Sequence, residues 1–254
     1  MFNDYIDTHS HVLWGMDDGS RDIEETISLC DMAAQSGAKG LFVTPHLMYW
    51  ERAEDLYDER ERKVEKLTEI LEEEDIDLEI YKGFEILCDD DIFQIKYFKP
   101  YTLAGSRYIL IEFDFFKTTA EDVLAWCDYL ISRDLVPIIA HPERYDFFIS
   151  EKSAIDELSQ KGALFQINSG SAAGMFGETV RRFAEKMINK GFVDFIGSDA
   201  HDLMARNTDI EGCFDDYSDE INMNFLKKAC CINPLKVINN EQIEAVRLSY
   251  FAKK

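Results

Sequence analysis

Short apolar runs alternate along the chain with longer stretches whose apolar positions recur every three to four residues. The runs at 5–10, 41–44, 78–82, 107–111, 136–140, 164–167 and 193–197 predict β-strands. They are continuous and not alternating, the pattern of parallel strands covered on both faces. The amphipathic stretches predict helices over 22–36, 51–74, 119–133, 151–160, 179–189 and 222–231. In the first of these, Asp22 and Glu25 read as an N-cap pair, and Ile23, Ile27, Cys30 and Ala34 as the apolar stripe. Gly37 reads as the C-cap. Seven β/α repeats predict an α/β barrel of the TIM type or a distorted relative. No Pro/Gly/Ser-rich linker interrupts them, so residues 1–254 read as a single domain.

Charge narrows the partners. Lys and Arg number 27 against 50 Asp and Glu, a net charge of -23. That field repels nucleic acid and anionic membrane surfaces, both of which are bound through cationic side chains. It also disfavours phosphate substrates unless cations gather locally. The first residues carry no signal-peptide pattern, and no run approaches the ~18 apolar residues of a membrane span. Six cysteines include no CxxC pair, so reduced thiols and a cytoplasmic location are expected. The acidic stretches Glu72-Glu-Glu-Asp75 and Asp215-Asp-Tyr-Ser-Asp-Glu220 read as solvated faces and loops.

The chemistry lies where the strands end. The first runs into His9-Ser-His11, the second into Pro45-His46, the third into Gly83-Phe-Glu85 and the fourth into Glu112. The fifth runs into His141-Pro-Glu-Arg144 and the last into Ser198-Asp-Ala-His201. In a barrel these ends are neighbours on the rim that carries active sites. Any one histidine there is more often a hydrogen-bonded core or surface residue, but all five of the chain's histidines share this placement. Glu112 interrupts the apolar run Ile109-Leu-Ile-Glu-Phe113, where a carboxylate is costly unless a cation or donor meets it. Glu85 sits in a similar setting, with a salt bridge to a rim Arg or Lys as its plainer reading. Imidazole and carboxylate without thiolate suit Mn²⁺, Fe²⁺, Zn²⁺ or Mg²⁺. His9 and His11, two apart on a strand, project to one side and reach one ion. So many donors imply two or three ions, able to activate a water and clamp a phosphoryl group.

These motifs resemble the PHP (polymerase and histidinol phosphatase) superfamily, and within it the bacterial protein-tyrosine phosphatases of capsule and exopolysaccharide operons. The resemblance runs through Asp7-Thr-His-Ser-His11, Gly15-Met-Asp-Asp-Gly19, Thr44-Pro-His46, Gly83-Phe-Glu85 and Ile111-Glu-Phe113. It continues through Ala140-His-Pro-Glu-Arg-Tyr145, Gln166-Ile-Asn-Ser-Gly170 and Gly197-Ser-Asp-Ala-His201. It implies a distorted (β/α)7 barrel of the PHP type with three metal ions, usually manganese. By position it implies His9, His11, Glu85 and Asp199 on one ion, and Glu85, Glu112 and His141 on a second. Asp18, His46 and His201 fall to a third, with Asp17 as the alternative to Asp18. It implies that Arg144 and Arg206 hold the phosphate; apart from the resemblance, Asp199 and His201 are candidates to protonate the leaving group. The implied substrate is a phosphotyrosine protein, a bacterial tyrosine kinase that regulates capsule or exopolysaccharide synthesis. Where many relatives carry a second histidine after Thr-Pro-His, this chain has Leu47.

Two segments offer competing chemistry. Cys127 and Arg133 have the Cys-x5-Arg spacing of thiol-based phosphatases, but no glycine lies between them. Cys127 aligns with Val123, Leu130 and Ile131 on a helix stripe, so it reads as core. Ser169, Gly170 and Ser171 read equally as a phosphate-cradling loop or as a strand-to-helix turn on the rim, with Asn168 and Ser169 as candidates for phosphate contact. Tyr49, Trp50 and Tyr145 are candidates for stacking on a substrate ring. The rival readings are a small-molecule phosphatase such as histidinol phosphatase, an editing nuclease disfavoured by charge, and an inactive module that only binds a kinase. The complete ligand set disfavours the last.

Overall fold

A computed structural model describes residues 4–210, 223–245, 247, 250 and 251. Its strands are β1 (Tyr5–Ser10), β2 (Ala38–Val43), β3 (His46–Leu47), β4 (Glu79–Lys82), β5 (Glu85–Leu87), β6 (Tyr108–Glu112), β7 (Val136–Ala140), β8 (Leu164–Asn168) and β9 (Phe195–Gly197). The helices are α1 (Ile23–Gln35), α2 (Ala53–Glu73), α3 (Ala120–Ile131), α4 (Asp146–Ser150), α5 (Ser153–Lys161), α6 (Ser169–Ala172), α7 (Glu178–Lys190), α8 (Met223–Lys227) and α9 (Asn233–Ile238).

All pairings are parallel, and they fall into two pieces ordered β1-β2-β4 and β3-β5-β6-β7-β8-β9. The break has a local cause. The second and third predicted strands each stop and restart, at Thr44-Pro45 and Gly83-Phe84, so β3 and β5 are short continuations that the apolar runs do not announce. Proline supplies no N–H to a ladder, and the interruption falls there. The sheet curls until Ser10 bridges Ala200, with His11 N–H donating to the Ala200 carbonyl and Asp199 N–H to that of His9.

Within the curl, Ile6, Phe42, Tyr108, Leu110, Ile138, Leu164 and Phe195 pack together as a floor. The larger cluster lies between sheet and helices and includes Leu29, Leu67, Val123, Cys127, Leu130, Ile155 and Phe183. Each such side chain contributes about 1.5–3 kcal/mol by leaving water. Helix α3 starts on the capping box Thr119/Asp122.

Two expectations need correction. In α1 the Asp22 cap on Glu25 N–H is present, but the buried face is Thr26, Leu29, Cys30 and Ala33, not the stripe through Ile23, Ile27 and Ala34. Thr26 Oγ1 donates to the Val12 carbonyl, which fixes that rotation of the helix. The helix expected over 222–231 begins on a residue outside the described ones. From Met223 the helix is present and runs past its expected end to Ile238, as α8, a π-helical turn at Lys228–Ile232 and α9. The acidic stretch 215–220 also lies outside the described residues. Among the described residues no helix is long and apolar enough to cross a membrane, and five cysteines are free.

Candidate metal centre

The inner face of the sheet turns from apolar floor to polar rim within one side-chain layer. Tyr108 and Leu110 of β6 belong to the floor, and Glu112 follows on the same face. Leu164 of β8 is likewise followed by Gln166 and Asn168. In β1, Ile6 is in the floor and His9 is on the rim, three positions apart, which strict alternation forbids. A register shift against β2 between Asp7 and Ser10 inserts the extra residue that aims both inward. His141 follows the inward-facing Ala140 and would point away, but its left-handed backbone (φ 35) swings the ring back in. Such a conformation is uncommon outside glycine. Asp199 is also left-handed (φ 54).

These devices gather the nine predicted donors. His9, His11, Glu85 and Asp199 form one buried group, and His11, Asp18, His46 and His201 a second that opens to solvent at Asp18. His46, Glu85 and Glu112 form a third. His9 Nε2 and His11 Nε2 are 3.1 Å apart. Glu85 Oε2 lies 3.2 Å from each of His9 Nε2, His11 Nε2 and His46 Nδ1, yet makes no hydrogen bond. Its other oxygen accepts from His141 Nε2 at 2.8 Å. A buried carboxylate oxygen ringed by imidazole nitrogens without a hydrogen bond is costly. A divalent cation among those N and O atoms removes the cost, and the donor set fits one. The plainer reading of Glu85, a salt bridge to Arg or Lys, has no support here. The groups differ from the expected partition in two respects: His46, not His141, joins Glu85 and Glu112, and His11 also stands with Asp18, His46 and His201. His46 Nδ1 is 2.7 Å from Glu112 Oε1, whereas His141 engages Glu85 alone.

Electrostatics follow this packing. Hydrogen bonds from His201 and His46 hold the Asp18 carboxyl far below the usual range. Burial and the His11 charge push His46 down, but Asp18, Glu112 and Glu85 outweigh them and raise it to about 10. Burial keeps His201 low despite Asp18.

Asp17 and Asp18 separate clearly in space. Asp18 Oδ1 is 3.4 Å from both His46 Nε2 and His201 Nε2. Asp17 turns away, accepting from His11 Nδ1 (2.7 Å), His46 N–H (2.8 Å) and Gly19 N–H (3.0 Å). It therefore fixes the tautomer that leaves His11 Nε2 free to ligate. Gly19 is needed because a Cβ there would sit 2.1 Å from the His11 carbonyl oxygen. Asp17→Asn is expected to weaken metal affinity about 10–100-fold while leaving the fold intact. Metal titration of the variant, followed calorimetrically, measures it.

Other orienting residues lie outside the nine predicted donors. Gln166 Oε1 accepts from His9 Nδ1 (2.8 Å), and Asn168 Nδ2 donates to Asp199 Oδ2 (2.6 Å). Buried Glu143 accepts from Asn168 N–H, and buried Asp7 accepts from Ser198 and His9. The sequence carries a signal for two of them, because Gln166 and Asn168 interrupt an apolar strand just as Glu112 does. Arg144 and Arg206 both reach the centre, 3.3 Å and 2.6 Å from Asp199 Oδ2. Ser169 is buried in the first turn of α6, and the Asn168 amide is engaged with Asp199.

Of the ring candidates, Tyr145 is fully buried and its hydroxyl oxygen accepts from Phe113 N–H. Trp50 packs edge-on against Phe98 and Tyr101. Tyr145 is core, and Trp50 is half-buried against the core, away from the cleft lining. Of the three, only Tyr49 lines the cleft beside His46 and Glu112. Cys127 is completely buried on α3, and burial drives its thiol far above the usual range. A thiolate nucleophile needs the opposite. Cys127→Ser is expected to cost about 1–3 kcal/mol of stability, as a buried hydroxyl does, with turnover per folded molecule unchanged. Denaturation and kcat measured on one preparation check both.

The family model for capsular polysaccharide synthesis, CpsB/CapC, matches residues 5–239. The chain belongs to the CpsB/CapC family. Among relatives of this family member, the tyrosine-protein phosphatase YwqE of Bacillus subtilis is 32% identical over 203 residues, 80% of this chain and 79% of that protein. The tyrosine-protein phosphatase CpsB of Streptococcus pneumoniae is 28% identical over 248 residues, 94% of this chain and all of that protein. A crystal structure from work on YwqE and CpsB, described there as unique metal-dependent tyrosine phosphatases, superposes with TM-score 0.81 at 30% identity. It covers 95% of this chain and 96% of that one.

Proposed function

We infer that this CpsB/CapC member is a metal-dependent protein-tyrosine phosphatase. The observation that carries the reading is the convergence of His9, His11, Asp18, His46, Glu85, Glu112, His141, Asp199 and His201 around the unpartnered Glu85 oxygen. The family relatives supply the leaving group, since those named are tyrosine-protein phosphatases. The nine residues are proposed as ligands of three ions, manganese by preference, on a single domain spanning 1–254 with a distorted (β/α)7 barrel. Bound ions supply Lewis acidity and water activation.

The chain's own residues do the rest. Arg144 and Arg206 converge on one carboxylate oxygen of Asp199, so their free N–H groups hold phosphoryl oxygens beside it. Asp199 Oδ2 is committed to both guanidiniums and to Asn168, and Oδ1 lies within 3.5 Å of His9 and His11. That commitment supports a positioning carboxylate over the proton donor considered for it. His201 Nδ1 donates to the Asp199 carbonyl and Nε2 faces Asp18, which supports ligation over acid catalysis. A tyrosinate, with pKa about 10, departs with little need of an acid. The two arginines also resolve the conflict between an acidic chain and a phosphate substrate.

The proposed physiological substrate is a phosphotyrosine protein, a bacterial tyrosine kinase that regulates capsule or exopolysaccharide synthesis. The test compares kcat/KM on a phosphotyrosine peptide, a phosphoserine peptide and histidinol phosphate with Mn²⁺ present. The peptide bearing phosphotyrosine is expected to lead. A tenfold lead for histidinol phosphate, about 1.4 kcal/mol at the transition state, would reassign the chain to small-molecule phosphatases.

A further inference from the structure

Beside the metal centre opens a cleft of about 590 Å³ whose walls are mostly apolar. It shares Asp18, His46 and Glu112 with the centre and extends outward past Met48, Tyr49, Phe115 and Phe116. Its continuity with the donor cluster fixes what can occupy it: whatever remains attached to a phosphate held there.

The outer wall is a built turn. Asp114 Oδ1 accepts from the N–H groups of Phe116 (2.9 Å) and Lys117 (3.0 Å), an Asx turn that holds two consecutive aromatic residues at the lip. Phe115 lies on the side of the donor cluster and is 36% exposed. Its ring lies nearly parallel to His141 (centroids 6.0 Å, 15°) and to Tyr145 (4.7 Å, 28°), and Arg144 Cζ sits 5.1 Å from its centroid. One ring thus touches a proposed ligand, a proposed phosphate-binding arginine and the cleft. Phe116 faces the other way and is 97% exposed. Tyr49 at 61% and Met48 at 41% also line the cleft. Four large apolar side chains held in water at one cleft contribute little to the fold, and a cluster of this kind marks a binding surface.

Resting on the phosphatase reading above, we propose that the 114–117 turn is the aryl and peptide recognition element of this enzyme. Phe115 forms the wall against which the phosphotyrosine ring lies. Phe116, with Tyr49 and Met48, covers apolar side chains that flank the tyrosine in an extended peptide. The turn is preorganised by Asp114, so little ordering opposes binding.

Three substrates separate the parts: a phosphotyrosine peptide with leucine on both sides, the same peptide with glycine and serine flanks, and p-nitrophenyl phosphate. The wild type is expected to favour the leucine peptide over the glycine-serine peptide about five- to tenfold in kcat/KM, through KM. In Phe116→Ala that preference collapses to within about twofold, and Phe116→Trp restores it. Metal content, measured on each preparation, is expected to equal the wild type's and excludes a disturbed centre. Phe115→Leu, which keeps bulk without a π face, is expected to lower kcat/KM on p-nitrophenyl phosphate relative to an alkyl phosphate. A wild type that cleaves both peptides equally, or a Phe116→Ala variant that keeps the preference, overturns the proposal and leaves the phosphatase reading standing. A wild type that cleaves histidinol phosphate and neither peptide overturns both.

Discussion

Stripping divalent metal with excess EDTA, followed by dialysis, is expected to abolish phosphatase activity. Mn²⁺ is expected to restore it better than Mg²⁺. The donors are five imidazoles and four carboxylates with no thiolate. Imidazole favours borderline ions, whereas Mg²⁺ prefers oxygen and water. The apo protein should also be less stable. Asp18 faces solvent, but Glu85, Glu112 and Asp199 are buried together among imidazoles. A bound cation stabilises the folded state by mass action, about 2.7 kcal/mol at a hundredfold excess over Kd. A thermal shift of several degrees between EDTA-treated and Mn²⁺-loaded protein is therefore expected alongside the loss of turnover. Full activity in dialysed protein with no metal detected would sink the metal reading outright.

Glu85→Gln is expected to reduce kcat by about a thousandfold or more, with loss of bound metal and an intact fold. Glu85 is the one residue shared by the first and third donor groups, so neutralising it weakens more than one ion site. Lewis-acid stabilisation amounts to several kcal/mol, and each 1.36 kcal/mol is tenfold in rate. His141→Ala is expected to act in the same direction. It removes the hydrogen bond to Glu85 Oε1, and with it the group that orients that carboxylate. Elemental analysis and circular dichroism on both variants separate metal loss from unfolding. A Glu85→Gln enzyme that keeps its metals and turns over at the wild-type rate would remove Glu85 from the centre. By contrast, the Cys127 variant should differ from wild type in stability alone, since that thiol lies in the outer core and away from the cleft.

The sequence was sufficient to locate most of the strands and to single out the nine residues proposed as donors. Parallel strands buried on both faces leave continuous apolar runs, and a polar residue that ends such a run is exposed by contrast. The same contrast identifies Glu112 and extends to Gln166 and Asn168. Local order in α1 was equally legible at its cap, because the Asp22 cap depends on a residue within one turn. The burial face of α1 was not, since Thr26 is drawn inward by a carbonyl from a different segment.

What only the tertiary structure decided is which way each donor points and what lies behind it. The extra residue between Asp7 and Ser10 and the left-handed backbone of His141 override strand alternation. Both are responses to packing between strands distant in sequence, so no local pattern announces them. Asp17 and Asp18 are chemically identical neighbours, and only the positions of His11, His46 and His201 separate the carboxylate that orients His11 from the one that faces His46 and His201. Tyr145 and Phe115 show the same limit for aromatic residues. Either suits a rim or a core by composition, yet Tyr145 is fully buried while Phe115, stacked on it at 4.7 Å, stands at the cleft. Residue chemistry and spacing are encoded locally, whereas the direction of a side chain at a strand end is set by its neighbours across the sheet.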